Sequence, residues 1–267
     1  MSEHNVSRSD SMKRGIYILP NLFTTGSLFA GFYSMVAGIN QDYRTAAIWI
    51  FAALVCDGLD GKVARATGTT SKFGVEYDSL ADLVAFGVAP GLLMYFWALK
   101  PFGRLGWLAA FLFVACGALR LARFNVQVET VESKRFVGLP IPAAASMVSA
   151  TVLFFIHMGW SSYKKLAILV LIYLLAFLMV SSVKYYSFKD PELIKKQPFG
   201  FLVLAVMLLI IIATEPAIMI FVLFIGYILS GPIAFVVTWP RRRRLEKLLH
   251  KRHEATASGD RKNQETA

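Results

Sequence analysis

The sequence predicts an all-α, polytopic integral membrane helical bundle of about eight transmembrane helices with both termini cytoplasmic. Three observations predict it. The chain is 56% hydrophobic over 267 residues, with a mean hydropathy of +0.56, whereas soluble domains are nearer half apolar even with glycine counted. Apolar runs approaching the ~20 residues of a bilayer crossing recur along most of the length. These runs do not alternate in polarity, and an open sheet has no place in lipid.

The elements follow in order. Residues 1–14 are polar and form a cytoplasmic N-terminus. The apolar run at 15–38 is followed by further spans rather than by a small-residue cleavage site, so it reads as a retained anchor. The second run, 46–63, is apolar to Val55 and then presents Asp57 and Asp60. Ala66–Ser71, with Gly68 and several threonines, reads as a turn on the cytoplasmic side. Asp78 and Asp82 open the third run, 79–99. Within it, Gly87-x-x-x-Gly91 has the spacing of a small-residue helix contact, read as packing inside the bundle, and Pro90 is placed to bend the helix. The fourth run, 105–122, leads into Arg120-Leu-Ala-Arg123-Phe124-Asn125. Runs at 139–159, 165–183, 199–213 and 216–237 complete the set; the seventh is short, and Glu215-Pro216 reads as a tight turn before the eighth. One membrane domain thus covers 15–238, and residues 239–267 form a basic, partly disordered cytoplasmic tail. Beside a span, the Arg241–Arg244 cluster suits anionic lipid head groups, at about 1 kcal/mol per basic residue, rather than nucleic acid.

Charge sets the orientation. The net charge is +11. Arg8, Lys13, Arg14, Lys62, Arg65, Lys72, Arg120, Arg123, Lys134, Arg135, Lys184, Lys189, Lys195, Lys196 and the arginine tail fall on one side. Only Arg44, Lys100, Arg104, Lys164 and Lys165 fall on the other. The positive-inside rule puts the first group, and the aspartates with it, in the cytoplasm. Trp97, Trp107, Trp160 and Trp239 flank span ends as interfacial anchors do, and His157 reads as interfacial at the opposite end from the aspartates. Cys56 and Cys116 lie in apolar runs and read as packing residues.

The chemistry is concentrated at 57–82. Asp57 and Asp60 are three apart, Asp78 and Asp82 four apart, so each pair shares a helix face. A helical hairpin brings the two pairs together. Four carboxylates in a membrane-embedded hairpin are costly unless something positive sits among them. Hard divalent cations prefer carboxylate oxygens, so Mg²⁺ or Mn²⁺ is the simplest compensation. Gly61 and Ala64 are small enough to let a flat ligand group approach, and Arg65 suits bidentate contact with phosphate. A cation channel is the competing class, but it calls for acids at mid-depth in several spans rather than crowded at one end of one hairpin.

The pattern Asp57-x2-Asp60-Gly61-x2-Ala64-Arg65-x8-Gly74-x3-Asp78-x3-Asp82 places eight specified positions over 26 residues. It resembles the signature of the CDP-alcohol phosphotransferase family, with every fixed position present. The resemblance implies an enzyme that cleaves a CDP-linked alcohol at its phosphoanhydride, releases CMP and passes the phosphatidyl group to a hydroxyl. It implies metal ligation, of two ions, by Asp57, Asp60 and Asp78, with Asp82 contributing and acting as base. It places Gly61, Ala64, Arg65 and Gly74 in the CDP site.

Three further segments narrow the resemblance: Leu19-Pro20-Asn21-Leu22-Phe23-Thr24, Arg120 through Asn125, and Phe136-Val-Gly138-Leu139-Pro140-Ile-Pro142. With the aspartates they look like the membrane-bound (type II) CDP-diacylglycerol–serine O-phosphatidyltransferases. The implied partners are CDP-diacylglycerol, L-serine and anionic membrane lipid, with a homodimer expected and a location in the bacterial inner membrane. Another acceptor, such as glycerol 3-phosphate, inositol phosphate or choline, is the nearest alternative. Asn21 and Thr24 are candidate nucleotide contacts, although Asn21, following Pro20, also suits a helix cap. Arg120 and Arg123 are candidates for the serine carboxylate or a CDP phosphate, against snorkelling to lipid. Asn125 is a ligand contact or a cap.

Overall fold

The computed structural model describes residues 3–68, 71–128, 136–160, 165–185, 206–207, 210 and 213–235. It is a helical bundle of membrane type. Helix α1 (Glu3–Ile39) turns through Gln41, at φ 65°, into α2 (Tyr43–Thr67). Asp42 caps α2 by accepting a hydrogen bond from the Thr45 amide at 3.1 Å. The Thr45 side chain, and after it that amide bond, holds the Asp42 carboxyl below its ordinary range.

The two helices form an antiparallel hairpin along a stripe of small residues on α1. Ser27 donates to the Ala53 carbonyl at 3.2 Å, and Ser34 to the Ala46 carbonyl at 2.8 Å. Both serines are buried. In lipid, small faces of this kind let backbones approach and supply the attraction that apolar burial alone does not.

Helix α3 runs continuously over Lys72–Phe102. It is α-helical at Lys72–Asp82 and Ala89–Met94, and widens into π-type turns at Leu83–Val88 and Tyr95–Leu99. The first wide turn ends just before Pro90, which has no N–H to give the preceding turn. The helix starts earlier than expected: Ser71 is its N-cap, accepting from the Gly74 amide at 2.9 Å. Asp78 and Asp82 therefore lie in its second and third turns, not at its first residue. Gly91 packs within the bundle as expected, since a Cβ there would touch Val114 at 3.1 Å.

Helix α4 (Arg104–Val128) outruns its expected end at 122. Helices α5 (Ile141–His157) and α6 (Lys165–Val180) follow, and α7 (Pro216–Phe235) is the last described. The expected seventh span, 199–213, lies outside the described residues except at 206, 207, 210 and 213, and the tail at 239–267 lies wholly outside them. Asn21–Ile39, Lys72–Phe102, Arg104–Val126 and Pro216–Phe235 are long and apolar enough to cross a membrane. Helix α2 carries too many charges at its ends to be counted with them, and α5 and α6, at 17 and 16 residues, are shorter than an average crossing.

One antiparallel pair, β1 (Phe136–Val137) with β2 (Lys184–Tyr185), joins the approach to α5 with the exit from α6. Gly138 follows at φ +86°, its amide donating to the Val183 carbonyl at 2.8 Å. A side chain there would meet both a forbidden conformation and the Met179 carbonyl. Gly138 therefore shapes the backbone at this turn. At the opposite end of the bundle His157 pairs with Glu215 at 3.3 Å, both half exposed.

Candidate active site

The site forms where three helix segments meet: residues 21–25 of α1, the end of α2, and the first three turns of α3. Asp57 and Asp60 sit on one face of α2, and Asp78 faces them from α3. One carboxylate oxygen from each lies within 4.8 Å of the other two. Asp60 is buried, and Asp57 and Asp78 are half-buried. Asp82, one turn along α3, stands beside the group, with the charges of Asp57, Asp78 and Asp60 bearing on it. All four predicted aspartates therefore converge.

The α1 segment supplies the support. Thr24, itself buried, donates from its hydroxyl to Asp60 Oδ2 at 3.1 Å. Thr25 points the other way, donating to the Asn21 carbonyl at 2.7 Å and sharing a hydrogen bond with the Tyr77 hydroxyl at 3.0 Å. Asn21 lies inside α1, so it is not a cap. Its side chain comes up to Gly74, where a Cβ would stand 3.5 Å from Asn21 Oδ1 and 3.1 Å from Ser71 Oγ. Gly74 thus keeps the first turn of α3 close to α1. Gly61 is half-buried one residue beyond Asp60. Ala64 and Arg65 continue α2, and their side chains lie outside the described residues.

Helix α4 contributes unequally. Arg120 is buried, at 8% exposure, with Asp82 among the charges that face it. Arg123 is exposed. The pair treated alike in sequence therefore divides, with Arg120 turned into the bundle and Arg123 out of it. Asn125 is also not a cap. It lies within α4 and donates from Nδ2 to Ser79 Oγ at 3.0 Å, tying α4 to the turn of α3 that carries Asp78. The partners Ser79 and Tyr77 were missed in the sequence, where neither carries a distinguishing spacing.

Three convergent carboxylates in a partly dehydrated pocket repel one another, and a cation between them would relieve that repulsion. All donors are hard oxygens, with a hydroxyl fixing the most buried one. That set fits a divalent metal of the magnesium type and offers nothing to a soft one.

Comparison with known proteins gives the same direction. A sequence model described as CDP-alcohol phosphatidyltransferase matches residues 17–183. A Helicobacter pylori protein named CDP-diacylglycerol–serine O-phosphatidyltransferase is 48% identical over 176 residues, covering 65% of this chain and 74% of that protein. A Mycobacterium leprae protein of the same name is 41% identical over 138 residues, 50% of this chain and 46% of its own. An archaetidylserine synthase of Methanothermobacter thermautotrophicus is 38% identical over 169 residues, 62% of this chain and 69% of its own.

Proposed function

The chain belongs to the CDP-alcohol phosphatidyltransferase family, and from that premise we propose that it makes phosphatidylserine, moving the phosphatidyl group of CDP-diacylglycerol to the hydroxyl of L-serine with release of CMP. The observation that carries this reading is the meeting of Asp57, Asp60 and Asp78 from two helices within 4.8 Å.

Asp57, Asp60 and Asp78 would hold Mg²⁺ or Mn²⁺, two ions in all, with Asp82 contributing. When bound, such ions neutralise the charge that builds on a diphosphate during displacement at phosphorus. The remaining work belongs to side chains. Thr24 fixes one oxygen of Asp60 and so orients that carboxylate. Gly61, Ala64, Arg65, Gly74, Asn21 and Thr24 form the CDP site, where small residues admit the nucleotide and a guanidinium meets phosphate. Asp82 accepts the proton of the serine hydroxyl as its oxygen attacks the phosphatidyl phosphorus. The new P–O bond forms as the phosphoanhydride bond breaks, and CMP leaves with the bridging oxygen. Arg120, Arg123 and Asn125 are assigned to the serine carboxylate or a CDP phosphate, and the burial of Arg120 favours it over Arg123 for that contact.

The lipid anhydride enters sideways with its acyl chains in the bilayer, and serine arrives from the cytoplasm. The excess of Lys and Arg at the aspartate end supports a cytoplasmic site, in a bacterial inner membrane. Purified protein given radiolabelled CDP-diacylglycerol and one alcohol at a time tests the reading. L-Serine should give CMP and phosphatidylserine. Release of CMP with glycerol 3-phosphate, inositol phosphate or choline, and none with serine, would refute the acceptor assignment.

A further inference from the structure

Asp78 is flanked in the chain by two residues whose side chains leave α3 for different neighbours. Tyr77 shares a hydrogen bond with Thr25 of α1 at 3.0 Å. Ser79 accepts one from Asn125 Nδ2 of α4 at 3.0 Å. Successive residues of an α-helix point about 100° apart, so Tyr77 and Ser79 stand on opposite sides of Asp78. Both bonds have a fixed direction. Thr25 gives its one hydroxyl proton to the Asn21 carbonyl at 2.7 Å, so its oxygen accepts from Tyr77. Ser79 gives its proton to the Val75 carbonyl at 3.0 Å and accepts from Asn125. Each accepting oxygen is thereby anchored to its own helix, one turn back. The Tyr77 ring is held as well, stacked on Phe73 with centroids 5.9 Å apart and planes 12° from parallel.

The segment between these ties is one that repulsion would turn. Asp78 stands against Asp57 and Asp60, with one oxygen of each within 4.8 Å of the others, and like charges at that range push apart. Rotation of the first turns of α3 about their own axis would carry Asp78 away while keeping the backbone hydrogen bonds of that segment. The π-type turns at Leu83–Val88 separate Lys72–Asp82 from the deeper part of α3. Its rotation is therefore set locally, and the ties at Tyr77 and Ser79 act where Asp78 is.

We propose that Tyr77 and Ser79 are paired positioning residues: their bonds to α1 and α4 fix the rotation of the first turns of α3, so that Asp78, between them, faces Asp57 and Asp60 before an ion arrives. The proposal deepens the transferase reading and rests on it, since the site it concerns is the one given there to Mg²⁺ or Mn²⁺. A carboxylate already in place binds an ion more tightly than one that must be turned into place on binding. Neither hydroxyl touches the ion or a substrate; both act through Asp78.

The test is the Mn²⁺ affinity of the full chain in lipid–detergent micelles, read from the free-ion electron paramagnetic resonance signal, beside serine-dependent CMP release. Tyr77→Phe keeps the stack on Phe73, and Ser79→Ala keeps a good helix former. Asn125 is left intact because it is also assigned to the substrate. Each substitution should weaken Mn²⁺ binding by about threefold, within the worth of one hydrogen bond, and the two together by about tenfold. Excess Mn²⁺ should restore CMP release. Ser79→Thr, which keeps the hydroxyl, should bind Mn²⁺ as wild type does. Ser34→Ala is the structural comparison. It removes the bond to the Ala46 carbonyl, at the other end of the α1–α2 hairpin, and should lower the melting temperature without moving Mn²⁺ affinity. If wild type binds Mn²⁺ and the double variant binds it equally well, the proposal fails while the transferase reading stands. It fails too if Ser34→Ala weakens Mn²⁺ binding as much, or if excess Mn²⁺ leaves the transfer defect in place. Without serine-dependent CMP release from wild type, the transferase reading falls, and the Mn²⁺ affinities still decide the proposal. Wild-type protein that does not bind Mn²⁺ would overturn both.

Discussion

Asp60 is the most enclosed of the four carboxylates, at 5% exposure, and Thr24 holds one of its oxygens. Removing that hydroxyl with Thr24→Val should weaken divalent-metal affinity by roughly tenfold or more while the helix stays folded. An unchanged affinity, read by calorimetry, would show that the bond is incidental. Asp78→Asn and Asp82→Asn should each abolish CMP release yet leave the protein folded in membranes. Full activity in either would contradict the role given to that residue. The aspartates were legible in the sequence because their spacing is a helical face twice over. Their support was not. Thr24 and Asp60 are 36 residues apart, and Asn125 and Ser79 are 46 apart. Such bonds depend on how helices are rotated against each other, which no local pattern encodes. Arg120 and Arg123 illustrate the same limit, since a three-residue spacing allows one face, and the structure turns one residue in and the other out.

Between helices, the site depends on how closely α1 approaches both α2 and α3. Gly31 is the tightest point of the second approach, where a Cβ would lie 2.6 Å from the Ala85 Cα. Gly31→Leu should therefore force α1 from α3 and destabilise the protein by about 1–3 kcal/mol or more. It should also separate Thr24 from Asp60 and lower transfer. Gly226→Ala is the control, because nothing lies within 4 Å of a Cβ there. Its melting temperature should be unchanged or raised, and a loss equal to that of Gly31→Leu would show that α1–α3 contact is not the cause. The hairpin and the turn between α2 and α3 were readable from charge and from Gly68 with its threonines. The start of α3 was not, because Lys72–Tyr77 is polar enough to resemble a loop until the Ser71 cap is seen. The β1–β2 clasp was also hidden, since two residues per strand make no alternating pattern.

At the scale of the whole molecule, the bundle is asymmetric in its chemistry. One end gathers the carboxylates, Arg120 and the clasp, and the other gathers the His157–Glu215 pair and the aromatic rings around Trp160. The sequence conveyed this polarity through its Lys and Arg distribution. It conveyed the seating of α7 poorly, because Ile228 and Gly231 are ordinary residues in an apolar run and their roles appear only against Tyr185. The proposed function reduces to one physical requirement: acidic groups from two helices are held together at one end of the bundle, where a divalent cation would make their proximity favourable. A Mn²⁺ titration of the purified protein, followed by electron paramagnetic resonance, tests that requirement directly, with Asp60→Asn alongside. Wild type should sequester Mn²⁺ with loss of the free-ion signal, and Asp60→Asn should require at least about tenfold more metal for the same loss. Equal, weak binding in both proteins would contradict the account.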